Sequence, residues 1–154
     1  MERPKRKATR IPNYDYASRN YYFVTVCTHE KRCIFGKVGK PNQYGKIAEE
    51  CLQSIPEIYS GVCVDKYVVM PNHIHGIITI DTEDGPSLTN MIGQYKMTVT
   101  KRIHKVNPDQ KVWQRSFYDH IIRNQADYER IWLYIHGNPQ KWDTDCYFED
   151  TADL

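Results

Sequence analysis

Apolar positions along the chain follow two periods, one of about two residues and one of about 3.6. Residues 21–28, Tyr-Tyr-Phe-Val-Thr-Val-Cys-Thr, are nearly all β-formers and predict a first strand. Residues 29–44 carry Gly36, Gly39 and Pro41 and read as a loop. From Gly45 to Ile58 the residues Ile47, Cys51, Leu52, Ile55 and Ile58 recur at helical spacing, with Pro56 placed to end or kink the helix. Residues 62–70 and 73–80 are two β-rich runs on either side of Pro71-Asn72, which predicts antiparallel strands and a tight connection. Ser87 is a candidate N-cap for a helix from Leu88 to about Val106, whose stripe is Leu88, Met91, Ile92, Tyr95, Val99 and Ile103. Residues 112–123 alternate loosely and predict a fourth strand. A final helix starts at Asn124 or Asp127 and runs to about Gly137 or Asn138, where Pro139 limits it.

The predicted order is β–α–β–β–α–β and then a helix. It fits an α+β ferredoxin-like sandwich: one mostly antiparallel sheet, helices packed on one face, and a C-terminal tyrosine-bearing helix. A single domain over residues 1–154 is expected, with 1–18 as a basic arm and 143–154 as an acidic tail.

Length and composition add bounds to that picture. At 154 residues the chain is one domain's worth, large enough for a proper core. No apolar run reaches the roughly 18 residues that span a membrane, and the N-terminus lacks a signal peptide's apolar core. A cytoplasmic protein is expected. The five cysteines include no CxxC pair and read as reduced thiols, not as a disulfide frame or zinc site. Net charge is only +2, but it is unevenly spread. Residues 1–10 hold Arg3, Lys5, Arg6, Lys7 and Arg10 against one acid, whereas residues 143–154 hold five acids and no base. A basic arm on a mildly basic body suits a polyanion such as nucleic acid; a solvated tail with an incidental charge run is the other reading.

Two short patterns carry candidate chemistry. His73 and His75 are at i and i+2, so on a strand both imidazoles point to one face while Ile74 turns to the opposite, packed face. That makes a ready pair of metal ligands at the mouth of a sheet, or two ordinary strand histidines. Tyr134 and Asn138 are at i and i+4 and share one helical face. The Asn138 amide oxygen can be a third ligand and the Tyr134 phenol a nucleophile. Alternatively Tyr134 is a core aromatic and Asn138 a helix C-cap.

Together, Val69-Met-Pro-Asn-His-Ile-His75, Val112-Trp-Gln-Arg-Ser-Phe-Tyr-Asp-His-Ile-Ile-Arg-Asn124 and Tyr134-Ile-His-Gly-Asn-Pro139 resemble the single-tyrosine HUH transposases, closest to the REP-associated tyrosine transposase branch. The resemblance covers roughly residues 14–142. It implies that His73, His75 and Asn138 bind a divalent metal, Mg²⁺ or Mn²⁺, and that Tyr134 is the catalytic nucleophile. Classical small-insertion-sequence members carry Gln where this chain has Asn138. The implied activity is cleavage and rejoining of single-stranded DNA near a hairpin through a 5′-phosphotyrosine. Compact members often form homodimers in which one chain's tyrosine helix completes the partner's site, whereas the REP-associated branch can act as a monomer. The short link after Arg123 favours a site complete within one chain.

Other residues have competing uses. Tyr118 is a rival nucleophile. Trp113 and Gln114 are expected to anchor the fourth strand, and His120 and Arg123 can orient the site or touch phosphate. Lys96, Lys101 and Arg102 lie off the apolar stripe of their helix, as DNA contacts or as a solvated face. Two rival functions remain: a non-catalytic single-stranded nucleic-acid-binding module, or a metal-dependent phosphodiesterase that uses water.

Overall fold

The computed structural model describes residues 20–82 and 85–144. The basic arm, with Arg3, Lys5, Arg6, Lys7 and Arg10, and most of the acidic tail lie outside the described residues.

Four strands form the main sheet: β1 (Asn20–Cys27), β4 (Val62–Met70), β5 (His73–Ile80) and β6 (Tyr118–Ile121). Their order is β4-β5-β1-β6, with every neighbouring pair antiparallel. A small hairpin, β2 (Gly36–Lys37) and β3 (Lys40–Pro41), interrupts the loop expected over 29–44. The helices are α1 (Gln43–Gln53), α2 (Ile55–Ile58), α3 (Leu88–His104) and α4 (Gln125–Gly137), followed by a 3₁₀ segment, Asn138–Thr144. Mixed α+β architecture with an antiparallel sheet is what the periodicity predicts.

Two departures have local causes. The helix expected over 45–58 is two helices that meet at Ser54, with Pro56 in the first turn of α2, where its missing N–H costs nothing. The fourth strand, expected over 112–123, shrinks to Tyr118–Ile121 plus one isolated bridge between Thr28 and Trp113. Ser116 has φ 66°, which breaks an extended run. The ammonium of Lys96 donates to the carbonyls of Gln114 (2.8 Å) and Ser116 (2.9 Å), holding the chain in that bend.

The sheet buries both faces. Ile74, Ile78 and Ile80 of β5 join Val24 and Val26 in the main core against the stripes of α1 and α3. On the opposite face Ile77 packs with Ile122 and with Ile131 and Ile135 of α4. Helix α4 therefore crosses the sheet face that α1 and α3 leave open. His73 and His75 share that face with Ile77, as the period of two requires. They do not stand at an open mouth: both are buried, because α4 and the following 3₁₀ segment cover them. Among the described residues Cys27, Cys33, Cys51 and Cys63 form no disulfide. Among the described residues no helix is long and apolar enough to cross a membrane.

Candidate active site

Strand register assembles the site. His75 pairs with Thr25 of β1, and Thr25 pairs in turn with Tyr118 of β6. Phe23 pairs with Ile77 on one side and His120 on the other. Paired residues of an antiparallel ladder project to the same face. Phe23, Thr25, His75, Tyr118 and His120 therefore floor a cleft of about 390 Å³, and Arg130, Ile131 and Tyr134 of α4 form its wall.

Helix α4 is aimed by its first turn. The Asn124 side chain accepts from the Asp127 N–H at 2.8 Å, an N-cap worth about 1 kcal/mol. Asp127, Ile131, Tyr134 and Asn138 then fall at i, i+4, i+7 and i+11 on one stripe. Ile131 and Ile135 anchor the helix on Ile77, which sets Tyr134 over His75. The Tyr134 and His75 ring centroids are 5.2 Å apart, and Tyr134 meets Phe23 edge-on at 6.2 Å. Tyr134 is 43% exposed, so its ring lies in the open cleft and not in the core.

Hydrogen bonds fix the histidines. Asn72 donates through Nδ2 to the Lys31 carbonyl at 3.1 Å, which turns its Oδ1 toward His73. Nδ1 of His73 is 2.8 Å from that oxygen, so Nδ1 carries a proton and Nε2 is the nitrogen turned away from this bond. Thr25 Oγ1 holds Nδ1 of His75 at 2.9 Å, and the hydroxyl can accept in the same way. Burial, and secondarily the nearby His73, push His75 well below the ordinary histidine range, so its ring is neutral. The two rings are 4.5 Å apart between centroids. Neutral imidazoles with Nδ1 tied to an acceptor are the form in which histidine binds metal.

Asn138 occupies the C-cap of α4, but capping does not explain an asparagine. Its backbone is right-handed helical (φ −58°, ψ −44°), not the left-handed conformation that favours Asn or Gly. The side chain is buried, and Oδ1 has no hydrogen-bond partner among the described residues. Such an orphaned acceptor costs about 1–3 kcal/mol unless something outside the protein engages it. Tyr134, one turn earlier, touches His75, and Trp142, four residues later, lies 6.3 Å from the His73 ring. Asn138 is bracketed between the two histidine contacts. Among the described residues no group of three His, Cys, Asp or Glu could hold a metal. A third donor beside the two histidines would have to come from another residue type, and the buried Asn138 amide oxygen is such an atom.

The remaining candidates are dispersed. Lys96 is tied to the bend before β6, and Arg102 bonds Glu50 at 2.7 Å. Both lie on α3, across the sheet from the cleft, as does exposed Lys101. Arg123 is exposed just ahead of α4. Tyr118 lines the cleft and is 6.2 Å from Phe23. Sequence reading missed Thr25 and treated Asn72 only as a turn residue. Asn72 immediately precedes His73, which was a usable signal; Thr25 is 50 residues from His75 and left none.

Comparison with known proteins shows the family. The family model described as Transposase IS200 like matches residues 16–138. An uncharacterized protein of Haemophilus influenzae is 32% identical over 169 residues, covering 94% of each chain. The REP-associated tyrosine transposase of Escherichia coli is 32% identical over 78 residues, 51% of this chain and 44% of that one. The fold is similar to a solved REP-associated tyrosine transposase bound to a REP hairpin, with TM-score 0.65 and 22% identity over 84% of this chain and 72% of that one. A floor of paired histidines under a tyrosine-bearing helix, within a sequence that the family model spans almost throughout, shows that the chain belongs to the IS200-like transposase family.

Proposed function

We propose that the protein is a metal-dependent single-tyrosine DNA transposase. It cleaves and rejoins single-stranded DNA beside a hairpin through a 5′-phosphotyrosine. The observation that carries the reading is the exposed Tyr134 ring lying 5.2 Å from buried His75, one turn ahead of the orphaned Asn138 amide oxygen.

Nε2 of His73, Nε2 of His75 and Oδ1 of Asn138 would hold the divalent ion. Mixed nitrogen and oxygen donors suit Mn²⁺ better than Mg²⁺. When bound, such an ion supplies Lewis acidity that offsets charge on a scissile phosphate. The chain's own residues do the rest. Asn72 and Thr25 hold the two imidazoles through Nδ1, and the Ile77–Ile131–Ile135 contact keeps Tyr134 over the site. Tyr134 Oη attacks phosphorus, forming a phosphotyrosine and releasing a 3′-hydroxyl. The link conserves the phosphodiester energy, so a 3′-hydroxyl can reverse the step without ATP. The open cleft and its Phe23 and Tyr118 rings can accept an unpaired strand by stacking.

The test is to incubate the protein and Mn²⁺ with labelled hairpin-bearing strands from the gene's flanks. A denaturation-resistant protein–DNA adduct is expected. Cleavage without an adduct would favour a water-using phosphodiesterase, and binding without cleavage a non-catalytic module.

A further inference from the structure

The cleft holds a titratable pair that the reading above does not use. His120 lies on the edge strand β6 and lines the cleft together with Tyr134. Its Nε2 is 2.9 Å from Asp127 Oδ2. The same oxygen accepts from the Arg123 N–H at 3.1 Å, and Arg130 donates to Oδ1. Burial alone would raise the Asp127 carboxyl, but the bonds from His120, Arg123 and Arg130 outweigh it and hold the group below its ordinary 3.8. Asp127 is thus ionised and can only accept. The proton on His120 Nε2 is fixed, and Nδ1 is the nitrogen left to exchange a proton with a ligand.

Placement narrows what that ligand atom is. Asp127 and Tyr134 are seven residues apart on one helix stripe, which is two turns or about 10 Å along the axis. His120 is held at the Asp127 end, on the sheet side of the cleft. His120 is the cross-strand partner of Phe23 and Tyr134 meets the Phe23 ring at 6.2 Å, so imidazole and phenol border one cleft from the sheet and from the helix. In-line displacement sets the attacking and leaving oxygens on opposite sides of phosphorus.

We propose that His120, oriented by Asp127, is the acid–base group for the 3′-oxygen of the DNA strand. The assignment rests on Tyr134 being the nucleophile. In cleavage the bond from Tyr134 Oη to phosphorus forms and the bond from phosphorus to the 3′-oxygen breaks. Protonated His120 gives its Nδ1 proton to that oxygen, and the phenolic proton passes to solvent. In joining, neutral Nδ1 takes the proton of the incoming 3′-hydroxyl and the phosphotyrosine bond breaks. The departing phenolate regains a proton from water. Asp127 is a positioning residue that sets the tautomer.

The experiment uses two forms of a flank-derived hairpin strand that the wild-type protein cleaves, one ordinary and one with sulfur replacing the 3′-oxygen at the mapped scission site. A thiolate leaves without an acid. His120→Gln should slow single-turnover cleavage of the ordinary strand by about 10²–10⁴-fold. On the sulfur strand the same variant should stay within about tenfold of wild type, with hairpin affinity unchanged. Asp127→Asn should show the same substrate dependence to a smaller degree. An equal loss on both strands would make His120 a phosphate-binding or structural residue and overturn the assignment, as would no loss on the ordinary strand. A wild-type protein that forms no adduct refutes the Tyr134 reading itself. Wild-type adduct with an unimpaired His120→Gln protein refutes this assignment alone.

Discussion

Tyr134 on α4 meets His75 on β5 with ring centroids 5.2 Å apart and planes inclined at 60°, although the two residues are 59 positions apart in the chain. The contact exists because Ile131 and Ile135 seat the helix on Ile77, two residues beyond His75 on the same strand face. Tyr134→Phe keeps the ring and removes one oxygen. The variant should fold, bind hairpin DNA and bind Mn²⁺, yet form no adduct and cleave nothing, whereas Tyr118→Phe should retain the adduct. Peptide mapping of the adduct checks this; a label on Tyr118 would move the nucleophile to β6.

Metal binding can be read without activity. A ligand that binds only the folded state at about 100 times its Kd stabilises by roughly 2.7 kcal/mol. Mn²⁺ should raise the wild-type melting temperature, and His75→Ala or Asn138→Ala should lose most of that increment. An undiminished Mn²⁺ shift in both variants would place the ion elsewhere.

The fold brings Tyr134 and His75 of one chain together, so an active site completed within the chain is expected. Mixing His75→Ala protein with Tyr134→Phe protein should leave cleavage absent. Recovery of activity in the mixture would mean that α4 serves a partner's sheet.

Asp127 links pH to stability with a definite sign. Its folded pKa is depressed, so the folded state binds fewer protons than the unfolded chain as pH falls. The stability it contributes is full above the ordinary value of 3.8 and is lost as pH drops through the lower folded value. Chemical denaturation of wild type and Asp127→Asn from about pH 6 to pH 2 should show the wild-type advantage shrinking at the acid end. A gap independent of pH would show that the carboxylate's charge is not what holds the His120 end of the cleft.

The basic arm is testable without a structure. If Arg3, Lys5, Arg6, Lys7 and Arg10 all contact single-stranded DNA, deleting residues 2–10 should flatten the slope of log affinity against log salt by up to about 3.5. An unchanged slope would make the arm a solvated tail.

Much of this protein is legible locally. Strand residues 62–70 and 73–80, the Ser87-capped helix and the i, i+4 pairing of Tyr134 with Asn138 follow from side-chain period and capping chemistry, which neighbouring residues decide. The His-x-His pair is visible for the same reason. Its burial is not, because it depends on which sheet face α4 covers, and that is set by Ile77 meeting Ile131 and Ile135. Nor could the sequence show that the fourth strand breaks between Trp113 and Tyr118, since a lysine from a distant helix holds the bend at Ser116. Thr25 and the His120–Asp127 pair gain their roles from strand register and helix docking. Those contacts join residues that the chain's local chemistry does not connect, and only packing of α4 across the sheet brings them to one cleft.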